Sequence, residues 1–145
     1  MSEKVKKISS IFTPNENSFA ADLAAAAEGL IYISETDAEI IPVWGEKVEA
    51  VTRDAVLRLA GANREAPVEE TLPDSFFERL TEIRDWFGTR ETERAARFGR
   101  LRDTLYSGLT DIKLYRIGRI RIDIYIVGRD GEGRIAGVRT RAVET

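Results

Sequence analysis

Leu114-Tyr-Arg-Ile-Gly-Arg-Ile-Arg-Ile-Asp-Ile-Tyr-Ile-Val-Gly128 is the stretch of sequence that decides the fold. Its central isoleucines alternate with charged or aromatic residues and occupy positions Ile120, Ile122, Ile124 and Ile126. A period of two residues is typical of a β-strand with one buried face, and β-branched side chains suit such a surface. The stretch therefore predicts a half-buried strand.

A turn and a second strand are predicted directly after this stretch. Asp130-Gly131 is a strong hairpin signal because these residue types tolerate a positive φ angle. The second strand runs from Ile135 to about Glu144, and small or β-branched residues share one of its faces, namely Ala136, Val138, Thr140 and Ala142. We expect a helix to pack closely on that face. The two strands place a β-hairpin at the centre of a mixed α and β domain.

The composition excludes several classes of function. The chain of 145 residues contains no cysteine and no histidine. Disulfides, thiolate nucleophiles, serine–histidine triads and histidine zinc sites are therefore excluded. A metal site would need oxygen ligands, which suit magnesium or calcium. We expect no cofactor and no catalytic activity. The acidic residues are scattered along the chain, so hydrolysis by carboxylates alone is the weakest hypothesis.

The ends of the chain and its hydropathy bear on localisation. The lysine-bearing N-terminus has no apolar core, so it does not resemble a signal peptide. No apolar run reaches the roughly 20 residues that cross a bilayer. The sequence predicts a soluble, cytoplasmic protein without membrane contact. It also predicts a flexible arm at residues 1–12 and a single domain at residues 13–145.

Helix caps and apolar periodicity predict four helices in the rest of the chain. Their starts are predicted at Thr13, Thr52, Asp74 and Thr89, and the third is expected to bury Phe76, Phe77, Leu80 and Ile83. Leu30–Ile33 is predicted as a buried strand. Ile40–Trp44 is predicted as an edge strand or an irregular segment, because Pro42 cannot donate to a sheet ladder. Gly61–Pro73 is predicted as a connecting loop.

An acidic segment between the first two predicted strands is the first candidate site. Glu35, Asp37 and Glu39 place three carboxylates within five residues. Carboxylates can hold magnesium or calcium, but the segment lacks the glycine and the distal glutamate of an EF-hand loop. A solvated turn is the simpler interpretation, and both remain open.

The last predicted helix is the second candidate site because it is rich in arginine. Its outer face carries Arg90, Arg94, Arg97, Arg100 and Arg102. Basic helices bind phosphate backbones, so a nucleic-acid-binding or other protein-interaction module using residues 90–107 is the alternative function. The interspersed Glu91, Glu93 and Asp103 favour a salt-bridged outer face instead.

Two further features have a functional and a structural interpretation. Trp86, in the loop segment Asp85-Trp86-Phe87, is either an interface anchor or a plug of the core. Asp123 lies on the charged face of its strand, where a cross-strand ion pair is the expected explanation. The sequence contains no nucleophile–base pair. It also contains no glycine-rich phosphate loop, because Gly131-Glu-Gly133 lies in a predicted hairpin rather than between a strand and a helix.

The last strands also carry a family resemblance. Tyr115–Gly128 followed by Ile135–Thr145 resembles the end of the nuclease A inhibitor family. Other matching pieces occur in the family's order, namely Gly29–Glu35, Val51-Thr52, Ala66-Pro67, Asp74–Phe77 and Asp85-Trp86. The likeness extends from about Ala24 to the last residue. That family comprises small bacterial inhibitors of a sugar-non-specific, magnesium-dependent nuclease.

The resemblance implies a fold, a function and a set of site residues. It implies an α+β fold, specifically a three-layer α/β/α sandwich with a central mixed sheet, similar to the plant pathogenesis-related group 1 fold. It implies inhibition of a non-specific DNA and RNA nuclease, with no direct binding of nucleic acid. Glu35 would enter the nuclease cleft and approach its magnesium through water, so the inhibitor needs no metal of its own. Thr145, with its free carboxylate, would also reach the cleft, while Asp85 and Trp86 would support the contact.

Overall fold

The computed structural model describes residues 16–145, in which four helices and seven strands form. The helices are α1 (Glu16–Ala27), α2 (Arg53–Ala60), α3 (Asp74–Thr81) and α4 (Thr89–Gly108). The strands are β1 (Ile31–Ile33), β2 (Asp37–Glu39), β3 (Ile41–Lys47), β4 (Val68–Thr71), β5 (Thr110–Ile117), β6 (Arg121–Arg129) and β7 (Arg134–Val143). The predicted arm at residues 1–12 and the predicted cap Thr13 lie outside the described residues.

A five-stranded antiparallel sheet forms the centre of the described chain. Its strand order is β3-β7-β6-β5-β4, and β1 and β2 form a separate antiparallel pair. All neighbouring strands in the larger sheet are antiparallel. The prediction of a mixed sheet is therefore wrong. Short turns join β5 to β6 and β6 to β7, and turns of that length can connect only antiparallel neighbours.

The stretch at residues 114–128 spans two strands rather than one. The chain reverses direction between Ile117 and Arg121, so β5 and β6 pair with each other. Gly118 makes this turn possible with a φ of 110°, a conformation that L side chains rarely adopt. Ile120 keeps the period of two but lies in the turn, where 57% of its surface is exposed. The alternation thus continued through a reversal that the sequence pattern did not reveal.

The predicted hairpin between β6 and β7 is confirmed. The two strands pair over their whole length, with Ile124 opposite Thr140. Asp130 stabilises the turn, because its Oδ1 accepts hydrogen bonds from the backbone N–H groups of Glu132 and Arg134, both at 2.9 Å. This is the local side-chain to backbone bonding that makes aspartate common in turns.

Hydrophobic residues cluster on both faces of the sheet because side chains alternate along each strand. One cluster joins α1, α3 and α4 to alternate residues of β6 and to the small face of β7 that was expected to be covered. The other joins α2 to the opposite set of residues, which includes Tyr115, Tyr125, Val127 and Ile135. The central strands are therefore buried on both sides. The three-layer sandwich and its likeness to the pathogenesis-related group 1 fold stay predictions.

Local signals placed both boundaries of α2 and the buried stripe of α4 correctly. Thr52 caps α2, since its Oγ1 accepts a hydrogen bond from the N–H of Ala55 at 3.2 Å, and Gly61 ends the helix with a φ of 66°. The predicted apolar stripe of α4 is fully buried and consists of Ala95, Phe98, Leu101 and Leu105. Tyr106 of α4 donates a hydrogen bond from its hydroxyl to Asp74 at 2.7 Å, which ties α4 to the start of α3.

Four local predictions need correction. Pro73 rather than Asp74 occupies the N-cap position of α3, and Gly88 rather than Thr89 that of α4. Ile83 is 58% exposed, because α3 ends before it and the backbone is extended from Glu82. The predicted loop between α2 and α3 contains edge strand β4, which was missed because most of its residues are exposed and carry no apolar alternation.

Strand β3 forms the other edge of the sheet, as the proline in it predicted. Pro42 lies opposite Val138 of β7, and β3 has no second strand neighbour among residues 16–145. The register then shifts between Trp44 and Lys47. A proline and an irregular pairing are both features that discourage further strands from adding to an edge.

Candidate functional site

The acidic segment is half turn and half strand. Ile33 pairs with Asp37 and Tyr32 with Ala38, so the second half of the predicted loop is strand β2. The turn itself consists of residues 34–36, in which the N–H of Ser34 donates to the carbonyl of Thr36 at 2.8 Å. The segment was interpreted as a loop because it is polar, but a short hairpin needs no apolar alternation when both of its ends are anchored.

Two hydrogen bonds fix this turn to the end of the large sheet. The N–H of Val143 donates to Ser34 Oγ at 3.0 Å, and the N–H of Glu35 donates to the carbonyl of Val143 at 3.3 Å. The β1–β2 turn therefore lies against the last residues of β7. This arrangement sets the position of the Glu35 backbone before its side chain makes any contact.

Glu35 and Thr145 are in direct contact through two hydrogen bonds. The backbone N–H of Thr145 donates to Glu35 Oε2, and the Thr145 hydroxyl donates to Glu35 Oε1, both at 2.9 Å. These two hydrogen bonds lower the pKa of the Glu35 carboxyl below its ordinary value, the backbone bond having the larger effect. Both residues are exposed. The result is a solvent-facing carboxylate that is held in position and stays ionised.

The chain just before Thr145 is held from the other side by the β5–β6 turn and by an arginine. The N–H of Glu144 donates to the carbonyl of Ile120 at 3.0 Å. The Glu144 carboxylate accepts a hydrogen bond from Arg116 at 2.6 Å, and Arg116 also contacts Glu69 at 3.5 Å. Glu144 is therefore a paired residue, whereas the Glu35 carboxylate accepts hydrogen bonds, among the described residues, only from Thr145.

Asp85 and Trp86 lie in the connection between α3 and α4. Trp86 is 71% exposed and packs edge to face against Phe87, with ring centroids 4.8 Å apart. The alternative of a core plug is therefore wrong. No hydrogen bond or ion pair within residues 16–145 joins Asp85 or Trp86 to Glu35 or Thr145. The structure thus brings together two of the four predicted site residues and leaves the other pair on a separate segment.

Sequence reasoning missed several residues that build the site. Ser34 is the bridge between the turn and β7, and Ile33 and Ile120 expose 47% and 57% of their surfaces on segments that border Glu35 and Glu144. The sequence signals for Ser34 were its hydroxyl next to a glutamate in a polar turn and its place in the family-like piece Gly29–Glu35, neither of which indicated its bond to β7. The exposed isoleucines gave no signal, because isoleucine in a strand pattern predicts burial.

The acidic segment does not converge on a metal. Within residues 16–145, no group of three or more acidic side chains could hold a metal ion. The metal-site interpretation of Glu35, Asp37 and Glu39 is therefore wrong for this arrangement. An ionised carboxylate offers about four lone-pair positions, and two hydrogen bonds from Thr145 leave roughly half of them free. Those positions can accept hydrogen bonds or metal-bound water from another molecule.

The expected ion pair forms in the sheet, whereas on α4 only Arg102 of the five arginines pairs with a carboxylate among residues 16–145, namely Asp103 at 3.1 Å. Asp123 pairs with Arg141 directly across β6 and β7 at 3.1 Å, as predicted. On α4 the predicted salt-bridged face is wrong for Arg90, Arg94, Arg97 and Arg100, none of which forms an ion pair with a carboxylate in the described part of the chain. Glu91 instead accepts a hydrogen bond from the N–H of Gly88 at 3.0 Å, a capping role.

Comparison with known families assigns the chain to one of them. The family model described as "Nuclease A inhibitor-like protein" matches residues 17–145, which include all four predicted site residues. The family points to the class of non-catalytic nuclease inhibitors, whose partner is a protein. The chain belongs to the nuclease A inhibitor-like family, and the resemblance inferred from the sequence is confirmed. No curated protein matches the chain significantly.

The helices of the described chain were also compared with the requirements of a membrane span. None of those in residues 16–145 is both long enough and apolar enough to cross a bilayer. The longest, α4, has 20 residues but carries charged side chains along most of its length.

Proposed function

We propose that this protein inhibits a magnesium-dependent, sugar-non-specific endonuclease by inserting Glu35 and Thr145 into its active-site cleft. The observation that carries the proposal is the pair of hydrogen bonds from Thr145 to the two carboxylate oxygens of Glu35. These residues come from opposite ends of the described chain, yet they form one exposed acidic feature. Family membership supplies the class of partner.

The chemistry of this feature matches that of a nuclease cleft. Such a cleft is built to receive phosphate oxygens beside a divalent cation, and a carboxylate is the nearest imitation of a phosphate oxygen that a side chain provides. The Glu35 carboxyl is ionised at neutral pH, as an exposed glutamate is, and its lowered pKa extends ionisation toward more acidic pH. Its free lone pairs would accept hydrogen bonds from water bound to the partner's magnesium. A negative charge facing a cation would also favour fast association.

The support behind Glu35 favours binding without rearrangement. Ser34 and Val143 fix the backbone of the turn, and Thr145 fixes the carboxylate. Ordering a glutamate side chain and a loop on binding normally reduces affinity, and a feature that is already ordered avoids much of this cost. The proposal therefore requires no conformational change in the inhibitor at this point.

Asp85 and Trp86 form the second part of the proposed interface. A tryptophan that is 71% exposed on a turn is a suitable anchor, because it brings a large amphipathic surface at little cost in conformational freedom. Asp85 immediately precedes it and is also exposed. We include both as supporting contacts that act separately from Glu35 and Thr145.

We further propose that the protein itself catalyses nothing and holds no metal or cofactor. It acts in the cytoplasm of a bacterium, on a nuclease that degrades both DNA and RNA. The fold is a three-layer α/β/α arrangement, which the two hydrophobic clusters on opposite sheet faces support.

The test is inhibition of purified magnesium-dependent non-specific nucleases, measured as DNA degradation against inhibitor concentration. Glu35→Gln keeps the shape of the side chain but removes its charge, and we expect inhibition to weaken by roughly a hundredfold, as for a buried interfacial charge. Glu39→Gln is the matched control, because it removes one exposed carboxylate from the same hairpin and should inhibit like the wild type. The proposal fails if Glu35→Gln inhibits equally well, or if the wild type inhibits no nuclease of this class.

A further inference from the structure

Four arginines line one cleft beside α4. Arg90, Arg94, Arg97 and Arg100 follow one another at intervals of four, three and three residues, which places them along one side of the helix. The opposite wall of the cleft is the segment between α1 and β1. The cleft has a volume of about 450 Å³, and its lining is completed by Gly29, Leu30, Ile31, Glu93 and Ala96.

Arg97 lies at the base of this group of arginines, and hydrogen bonds hold its guanidinium in place. Its Nη2 donates to the carbonyls of Ala26 at 3.1 Å and Glu28 at 2.5 Å, where α1 ends. These carbonyls lack partners within the helix and carry the negative end of its dipole, so they orient the guanidinium without neutralising its full charge. The Nε of Arg97 is buried and makes no hydrogen bond.

The positive charges of the other three arginines have little negative charge nearby to compensate them. Neither Arg90, Arg94 nor Arg100 pairs with a carboxylate among the described residues, although Glu91 acts electrostatically on the first two from its capping position. Among the described residues, Glu93 is the one acidic residue in the lining of the cleft. Like charges one turn apart on a helix are destabilising, so an anion between them would relieve repulsion. The cleft is therefore chemically suited to a ligand with more than one negative charge.

We infer that this cleft binds a compact phosphate monoester. A guanidinium matches phosphate oxygens with two parallel hydrogen bonds, and several guanidiniums around one centre suit a tetrahedral dianion better than a planar carboxylate. The cleft also presents apolar surface from Leu30, Ile31 and Ala96 beside the arginines. Ligand sites of this size combine apolar walls with a few placed polar groups, so the organic part of the ester lies on that wall.

The same features disfavour an extended nucleic acid as the ligand. The chain carries a net charge of −3, which repels a polyanion at long range. The arginines surround a concave cleft, whereas a helix that enters a nucleic acid groove must present a convex face. Binding of a duplex is thus an outcome that the test must distinguish from binding of the small ester.

The experiment is calorimetric titration of the intact protein at low salt with adenosine 5′-monophosphate, inorganic phosphate and a short DNA duplex. We expect saturable binding of the nucleotide, weaker binding of phosphate, and weakening of both as salt is added. The double variant Arg94→Gln, Arg100→Gln should bind the nucleotide at least about tenfold more weakly. Both residues reach solvent, so the fold should persist, which circular dichroism would check.

Arg102→Gln is the matched control, because it removes a charge from the same helix outside the cleft, where the arginine pairs with Asp103. It should bind like the wild type. The inference is overturned if the nucleotide shows no saturable binding, if the cleft double variant and the control bind alike, or if phosphate binds as tightly as the nucleotide. Tighter binding of the duplex than of the nucleotide also overturns it. None of these results depends on nuclease inhibition.

Discussion

At the scale of single residues, Glu35 illustrates how a surface carboxylate becomes a defined functional group. Most exposed glutamates sample several conformations, and a hydrogen bond at the surface contributes little to stability. Here both oxygens of Glu35 accept hydrogen bonds from one residue, Thr145, and the backbone beneath is fixed through Ser34. The position and the ionisation of the carboxylate are thus set before any partner arrives.

The contact between Glu35 and Thr145 should depend on pH in a defined direction. Because the pKa of Glu35 is lowered in the folded state, the contact stabilises the fold above the ordinary glutamate pKa and is lost as pH falls through the lowered value. Thr145→Ala removes the hydroxyl donor, so the pKa of Glu35 should move back toward its ordinary value. NMR titration of the Glu35 carboxyl carbon measures this shift.

Thr71→Ala is the control for that titration, because it removes an exposed threonine hydroxyl from edge strand β4. The pKa of Glu35 should be the same in this variant and in the wild type. An unchanged Glu35 pKa in Thr145→Ala would show that the hydroxyl does not act on the carboxylate in solution. The larger effect, from the backbone N–H of Thr145, is expected to remain in both variants.

At the scale of elements, α4 organises one face of the sheet. Its buried stripe contacts α1 and α3 and belongs to the larger hydrophobic cluster. Its other side supplies the arginines of the cleft. One helix therefore combines a packing role with a charged surface, and substitutions on its two sides should have separable effects on stability and on binding.

Leu101→Ala should test the packing role of α4. Leu101 is fully buried, so truncation removes apolar contacts and leaves a cavity, at a cost of about 2–5 kcal/mol in unfolding free energy. Leu72→Ala makes the same chemical change at a residue that is 63% exposed, and it should change stability by less than about 0.5 kcal/mol. Urea denaturation of both variants measures the difference. Similar losses in the two would contradict the assignment of Leu101 to the core.

Elements that are encoded by residues a few positions apart could be predicted from the sequence, whereas elements that form by pairing with a distant strand could not. The hairpin at Asp130 and the cap at Thr52 are encoded by residues a few positions apart. Strand β4 exists because β5 offers it a free edge, and no feature of its own sequence indicates this. The turn at Gly118 was hidden because the alternation of isoleucines continues through it.

In the candidate site, too, features encoded by neighbouring residues could be predicted, whereas contacts between distant residues could not. The residues alone predicted an acidic turn, and only the family resemblance linked Glu35 to Thr145. Their contact joins residues 110 positions apart, and the pairing of Ser34 with Val143 spans 109. Contacts of such range depend on the whole fold, so no local pattern could reveal them. The missing ion pairs of α4 likewise depend on side-chain geometry, which spacing along a helix indicates only as a tendency.

At the scale of the whole molecule, the two proposed functional surfaces lie on different parts of the fold. The acidic feature lies at one end of the sheet, where the β1–β2 turn meets the last residues of the chain. The arginine cleft lies between α4 and the end of α1. Since both surfaces require the folded arrangement of distant segments, loss of global stability should abolish them together, while surface substitutions should affect them one at a time.

Trp86→Ala tests whether the proposed interface extends beyond Glu35 and Thr145. If Trp86 is an anchor, its truncation should weaken inhibition by about 2 kcal/mol, or roughly thirtyfold, while the unfolding free energy changes by less than about 1 kcal/mol. Trp44→Ala is the matched control, since Trp44 is also partly exposed, at 41%, but lies on edge strand β3. Equal inhibition by both variants would remove Trp86 from the interface.

The position of Thr145 has a practical consequence for handling the protein. Any residues appended after it, such as an affinity tag, would emerge directly beside the Glu35 carboxylate. Such an extension would crowd the acidic feature even if the fold itself were undisturbed. Assays that use fusions after Thr145 should therefore be compared with the same chain without the extension.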